Sequence, residues 1–292
     1  MLNPNIAPSP AALKARERLI PLDAGPLIMG VLNVTPDSFS DGGRYLDPDA
    51  AVAHAVAMAE QGADLIDIGA ESTRPGSDPV DEKEEIRRLI PVVGAVCRKV
   101  SVPVSVDTTK AAVARKALDA GATIVNDISA LRFDPLMKAV VAETGAGLVL
   151  MHMQGTPKTM QQAPSYRDVI EEIRQFFVER IRAALEAGIG AEQILLDPGI
   201  GFGKNLAHNL SVLAHLDAFV ALGYPILVGV SRKAFIGQVL DRPGDERVMG
   251  TAAAVAVAIL RGARVVRVHD VKRMRDVVKI VNAIMSHEEK AG

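Results

Sequence analysis

The chain has 292 residues, 49% hydrophobic and 23% charged, with a formal net charge of -2. That length suits one large domain or two small ones, and the charge balance gives no electrostatic case for nucleic acid or an anionic membrane. No apolar run reaches the roughly 20 residues that cross a bilayer.

The opening segment, MLNPNIAPSPAALKARERL, lacks an apolar signal core, which argues against secretion. Its Pro, Asn and Ser content predicts a frayed, partly disordered arm over residues 1–24. Beyond it, eight apolar runs read as strands: Leu27–Val34, Leu65–Ala70, Val102–Asp107, Thr123–Ile128, Gly147–Met153, Ile194–Asp197, Ile226–Ser231 and Arg264–His269. Helical patterns follow them at 49–61, 81–99, 109–120, 134–144, 166–187, 207–222, 245–261 and 270–287. Asp47–Pro48 and Asp134–Pro135 resemble helix starts. Gly62, Gly121, Gly145, Gly188, Gly223 and Gly262 each stand where a helix should stop. Pro91 falls inside 81–99 and predicts a kink or a split there. The lone Cys97, near Val92, Val93 and Val96, reads as a buried apolar filler. It leaves no partner for an intrachain disulfide, and a reducing cytoplasm fits.

Eight strand–helix alternations without a break in composition predict an α/β fold, a single-domain (β/α)8 TIM barrel over residues 25–292. A doubly wound open sheet is the competing arrangement. The length is near the ~250 residues usual for such barrels, and continuous apolar runs suit parallel strands buried on both faces. The segment 245–261 is apolar on nearly all sides, so it should lie deeply sandwiched or in a subunit contact.

In such a barrel, chemistry gathers at the C-terminal strand ends. The tips carry Asn33, Asp67, Asp107, Asn126 with Asp127, His152, Asp197, Ser231 with Lys233, and Arg267 with His269. The segment Asp197–Pro198–Gly199–Ile200–Gly201–Phe202–Gly203–Lys204 is the most informative. A buried strand delivers a carboxylate to its tip, and a glycine-rich loop then lets backbone approach a ligand. His152 and His269 do not form a His/Cys cluster at zinc spacing, so zinc is disfavoured.

Eight segments together resemble the dihydropteroate synthase family: Gly30–Gly43, Glu71–Gly76, Ser105–Thr108, Asn126–Asp127, Met151–Met153, Asp197–Lys204, Ser231–Lys233 and Arg267–Asp270. They occur in the family's order, and the likeness covers about residues 25–285. Two departures, Ala70 before Glu71 and Ala234 after Lys233, remove no substrate-binding side chain. The resemblance implies condensation of 6-hydroxymethyl-7,8-dihydropterin diphosphate with p-aminobenzoate, with loss of diphosphate, in folate synthesis.

The resemblance also implies the site. Asp197 would bind the amidine edge of the pterin through paired charge-assisted bonds. Asn126 and Lys233 would meet its other polar atoms, and Met151 and Phe202 its faces. Asp107 would stabilise the cation formed if diphosphate leaves first. The implied diphosphate ligands are Arg267, His269, Arg74 and Asn33, with Asn33 also coordinating Mg2+. Ser231, Phe39, Thr73 and Pro75 would receive p-aminobenzoate. The catalytic set is then Asp107, Lys233, Arg267 and His269. Loops 35–47 and 71–80 are expected to be mobile until substrates order them. The family implies a homodimer. A pterin-binding methyltransferase and a catalytically inactive pterin-binding homologue are the alternatives.

Overall fold

The computed structural model describes residues 10–35 and 48–291. The elements, in chain order, are β1 Ala12–Ala15, β2 Arg18–Pro21, β3 Leu27–Asn33, α1 Pro48–Glu60, β4 Leu65–Gly69, α2 Glu82–Lys99, β5 Val104–Asp107 and α3 Ala111–Asp119. They continue with β6 Ile124–Asp127, α4 Met137–Thr144, β7 Gly147–Met151, α5 Val169–Glu186, β8 Ile194–Asp197, α6 Leu206–Ala214 and α7 Asp217–Val220. The last are β9 Ile226–Val228, α8 Ala234–Leu240, α9 Val248–Leu260, β10 Ala263–Val268 and α10 Val271–Ala291. Strands β3 to β10 close into a parallel barrel in sequence order, with β10 paired to β3. The fold is the expected (β/α)8 barrel.

Local chemistry sets the helix ends. Asp81 accepts a bond from the Lys83 amide and caps α2, whose first turn is acidic and last turn basic, as the helix dipole favours. Asp168 caps α5 through the amides of Ile170 and Glu171. All six predicted stop glycines have positive φ. Pro91 sits inside a continuous α2, so it does not split that helix. Asp134 lies ahead of α4 rather than at its first turn, and its Oδ2 accepts the Ala111 amide at the start of α3. Asp47 lies outside the described residues.

Four further expectations differ from the structure. Residues Ala12–Pro21 form a hairpin where a frayed arm was expected. Arg16 turns the hairpin at φ +59, its amide donating to Gly145 O and its guanidinium to Leu118 O. The segment 207–222 is two helices, broken at His215 and Leu216. The helix α8 was missed because its seven residues are too few to show a periodicity. Cys97 is half-buried rather than enclosed.

The barrel interior is layered. Leu13, Ala15, Ile20 and Leu22 of the hairpin segment close its N-terminal mouth against Met29, Leu65, Ile124, Val149, Leu195, Leu227 and Val265. Seven barrel strands supply those side chains, and β5 supplies Ser105 at the same level, paired in register with Ile124. A second apolar cluster fills the space between strands and helices. Above the inner apolar layer, inward positions turn polar, and this level carries the site.

Candidate active site

Register decides which polar side chains meet. The pairing of Asp107 with Asn126 and of Met151 with Asp197 puts these four on neighbouring strand ends. Asp67 and Arg267 come from β4 and β10, each two residues beyond a member of the inner apolar layer, Leu65 and Val265. Arg267 Nε donates to Asp67 Oδ2 at 2.6 Å, and its Nη2 to Asp107 Oδ2 at 2.9 Å. Asn126 Nδ2 donates to the same Asp67 oxygen at 3.0 Å. Asp67 therefore orients both an arginine and an amide that face the cleft.

Asp197 is fixed from the other side. Its Oδ1 accepts the Gly199 amide at 2.7 Å. Gly199 has φ +67, and a Cβ there would lie 1.9 Å from the His152 carbonyl oxygen, so only glycine fits. The Phe202 ring turns into the cleft with the Lys233 ammonium 4.1 Å from its centroid. Ile128, Met151, Met153, Met160 and Phe202 form a small apolar cluster on this side. The cleft is lined by Thr73, Asp107, Asn126, Met151, Asp197, Phe202, Lys233 and Arg267, with Ile128, Ile200 and Gly229.

Burial dominates the electrostatics. It raises Asp107 to about 7, a shift that Arg267 opposes and Asp67 reinforces. It raises Asp197 and lowers Lys233 to about 8. Arg267 is held above its usual value because Asp67 and Asp107 outweigh the effect of its burial. The oxygens Asp67 Oδ1 and Asn126 Oδ1, and the Ser105 hydroxyl, are buried without a protein partner. Such acceptors are costly to leave unmet and suit a bound polar molecule.

The remaining expected residues divide. Asn33 and His269 line a separate cavity of about 650 Å³ beside Arg232. Ser231 is buried, and its hydroxyl meets His269 Nδ1 at 3.0 Å. Burial lowers His269 to about 4, so its ring is neutral at pH 7. Arg74 and Pro75 are exposed on their loop and line neither cavity. The structure thus gathers the residues expected around the pterin in one cleft with Thr73 and Arg267, puts Asn33 and His269 together in the second cavity, and leaves Arg74 out of both. Phe39 lies outside the described residues. Loop 71–80 is docked through Gly76 N to Pro157 O and Lys158 to Asp78. At its root Lys110 bridges Glu71 and the buried Glu85.

The family described as pterin binding enzyme matches residues 29–269. Dihydropteroate synthase of Escherichia coli (strain K12) is 49% identical over 264 residues, covering 90% of this chain and 93% of that protein. The chain belongs to the dihydropteroate synthase family. It is a transferase of folate biosynthesis. Dihydropteroate synthase from Xanthomonas albilineans, solved with 4-aminobenzoic acid, superposes with a TM-score of 0.88 at 47% identity, covering 94% of this chain and 98% of that one. The Yersinia pestis dihydropteroate synthase, solved in a sulfonamide drug complex, gives 0.89 at 48% identity, covering 94% and 99%. Two residues that the motifs place near the site without giving them a role now stand out. Asp67 was visible as a carboxylate inside the aliphatic run Leu65–Gly69, and Lys204 as the one cation of the glycine loop.

Proposed function

We propose that the polar level above the barrel core binds the pterin diphosphate and p-aminobenzoate and joins them by a dissociative substitution. The observation that carries this reading is the buried Asp197, held at a strand tip between Met151 and Phe202 with Lys233 opposite. A carboxylate so placed matches an amidine edge with two parallel bonds. Asn126 and Lys233 contact the pterin's remaining heteroatoms. The cleft now encloses about 20 Å³, room for little more than one water. A flat heterocycle enters when Lys233 leaves the Phe202 ring and the ring takes up the stacking.

As the C–O bond to diphosphate breaks, positive charge grows on the pterin, and ionised Asp107 stabilises it through N8–H. A contact that strengthens as charge develops accelerates the step. Arg267, Arg74, His269 and Asn33 receive the diphosphate, with neutral His269 acting by hydrogen bonding. The p-aminobenzoate amine then attacks the methylene carbon and loses a proton. Its ring is walled by Phe39, Thr73 and Pro75, and its carboxylate is met at Ser231.

Among the described residues no three His, Cys, Asp or Glu side chains converge as a metal cage. The half-buried Asn33 offers one hard oxygen, which fits a Mg2+ ion that arrives with diphosphate and keeps several waters. When bound, Mg2+ would neutralise charge on the leaving group.

We also propose a homodimer. Met249, Val257 and Leu260 are exposed on α9, and Val239 and Leu240 on the neighbouring α8. Such a concentration of large apolar side chains suits a two-fold contact. No helix among the described residues is long and apolar enough to cross a membrane. Action in the cytoplasm goes with this reading, since the single thiol needs no oxidising compartment. The test is to mix purified protein with the pterin diphosphate, p-aminobenzoate and Mg2+. Dihydropteroate should form; its absence from correctly folded protein would refute the proposed reaction.

A further inference from the structure

Lys204 is 2% exposed and lines neither cavity of the site. Its ammonium has three protons and makes three bonds. They run to Gly199 O at 3.0 Å, Phe202 O at 3.1 Å and His152 Nδ1 at 2.9 Å. An ammonium only donates, so His152 Nδ1 accepts, and the imidazole is neutral with its proton on Nε2. Burial, then the Lys204 charge, pushes His152 well below its ordinary value, in keeping with that assignment. None of the three acceptors is a carboxylate. Burial lowers Lys204 to about 7, and Asp197, reached through space rather than by a bond, opposes that shift and favours the ammonium.

A buried cation is an expensive way to fill space, and an apolar side chain of similar volume would pack there at lower cost. The arrangement therefore asks for a use of the charge. Both carbonyls that Lys204 holds belong to residues that shape the pterin cleft. Gly199 also gives its amide to Asp197 Oδ1, and Phe202 presents its ring to the cleft. Lys233 and Arg267 act on Asp197 from the cleft side, where a ligand would intervene, whereas Lys204 acts from behind the loop.

We infer that Lys204 is a positioning residue for pterin recognition: it fixes the backbone that aims Asp197 and Phe202, and it supplies the charge that keeps Asp197 ionised under a bound pterin. This rests on the pterin reading of the cleft.

Three variants separate charge from loop support. Lys204→Gln keeps amide donors for the two carbonyls and removes the charge. Lys204→Met removes both. Tyr166→Phe removes the Tyr166 bond to Gly203 O, at 2.7 Å, and so loosens the same loop without altering charge. Calorimetry with 6-hydroxymethylpterin, which lacks diphosphate, gives affinity, and steady-state kinetics separate KM from kcat. Lys204→Gln should weaken pterin binding about tenfold and Lys204→Met more, with kcat at saturating substrates and the KM for p-aminobenzoate within about twofold of wild type. Tyr166→Phe should leave pterin affinity within about twofold even where Tm falls. Equal losses in Lys204→Gln and Tyr166→Phe, or wild-type affinity in Lys204→Gln, would overturn the inference. Failure of the wild-type protein itself to bind the pterin would instead refute the reading of the cleft. If the Lys204 variants do not fold, nitrogen NMR of wild-type His152 decides. An unprotonated Nδ1 is expected; a protonated Nδ1 would put the proton on the imidazole and leave Lys204 without the charge assigned to it.

Discussion

Arg267 and Asp67, 200 residues apart in sequence, meet at 2.6 Å between the first and last thirds of the barrel. Asp67 is fully buried, and the same oxygen also accepts from Asn126. The pair closes the seam between the ends of the fold at the level where its chemistry sits. Its desolvation is compensated only while both partners are present.

Removing Asp67 should therefore cost stability as well as activity. Asp67→Ala leaves Arg267 with Asp107 alone and Asn126 without its acceptor. A loss of about 3–5 kcal/mol in urea unfolding is expected, together with weakened pterin binding. Near-native unfolding would mean that the pair contributes little to the barrel.

The pH profile should be narrow and bell-shaped. Asp107, raised to about 7 by burial, must be ionised to stabilise positive charge, so kcat/KM should rise as pH passes through that value. Lys233, lowered to about 8 by burial, must be protonated to donate, so the rate should fall as pH rises further. Asp107→Asn should remove the acid limb from a much reduced rate. A profile flat from pH 5 to 9 would contradict both assignments. For stability the Asp107 sign is opposite: a carboxyl raised in the folded state contributes fully below its unfolded value near 3.8, and that contribution is lost as pH climbs towards about 7.

Lys233 and Arg267 should separate in kinetics. Lys233→Ala should weaken every pterin, including one without diphosphate. Arg267→Ala should chiefly reduce turnover and diphosphate affinity, because charge accumulates on that group as the bond breaks. A kinetically silent Arg267→Ala with a lowered Tm would reduce Arg267 to the seam contact it makes with Asp67.

Leu13 of the hairpin is 1% exposed beneath the barrel core. Leu13→Ala should cost about 2–5 kcal/mol by leaving a cavity. Both KM values should stay unchanged, since the polar level lies at the opposite end. An altered KM for either substrate would show coupling between the two ends of the barrel.

What was legible in the sequence follows from how strongly each feature is patterned. Eight aliphatic runs ending in polar residues made the barrel legible, and inward alternation explains why Asp107, Asn126, Asp197 and Arg267 line one cleft. The hairpin was illegible because Leu13, Ala15 and Ile20 alternate over only four-residue strands, and the segment's Pro and Asn content masked them. Asp67 was visible, but its partner 200 residues away was not, since register across the closing strand pair is a tertiary property. The helix α9 illustrates an override: it is apolar nearly all round, yet it buries one face with Thr251, Val255, Ala258 and Ile259 and exposes Met249 and Leu260. Of the two alternatives offered by sequence, deep burial or a subunit contact, the exposed outward face argues against deep burial.

The most direct test of the account is calorimetry of pterin binding to Asp197→Asn in parallel with wild type. The substitution keeps the side chain's shape and replaces one acceptor with a donor facing the amidine edge. Losing a charge-assisted pair should cost about 2–4 kcal/mol, or about 30- to 1000-fold in affinity, while the fold is retained. Unchanged pterin affinity in the folded variant would contradict the placement of the pterin at Asp197.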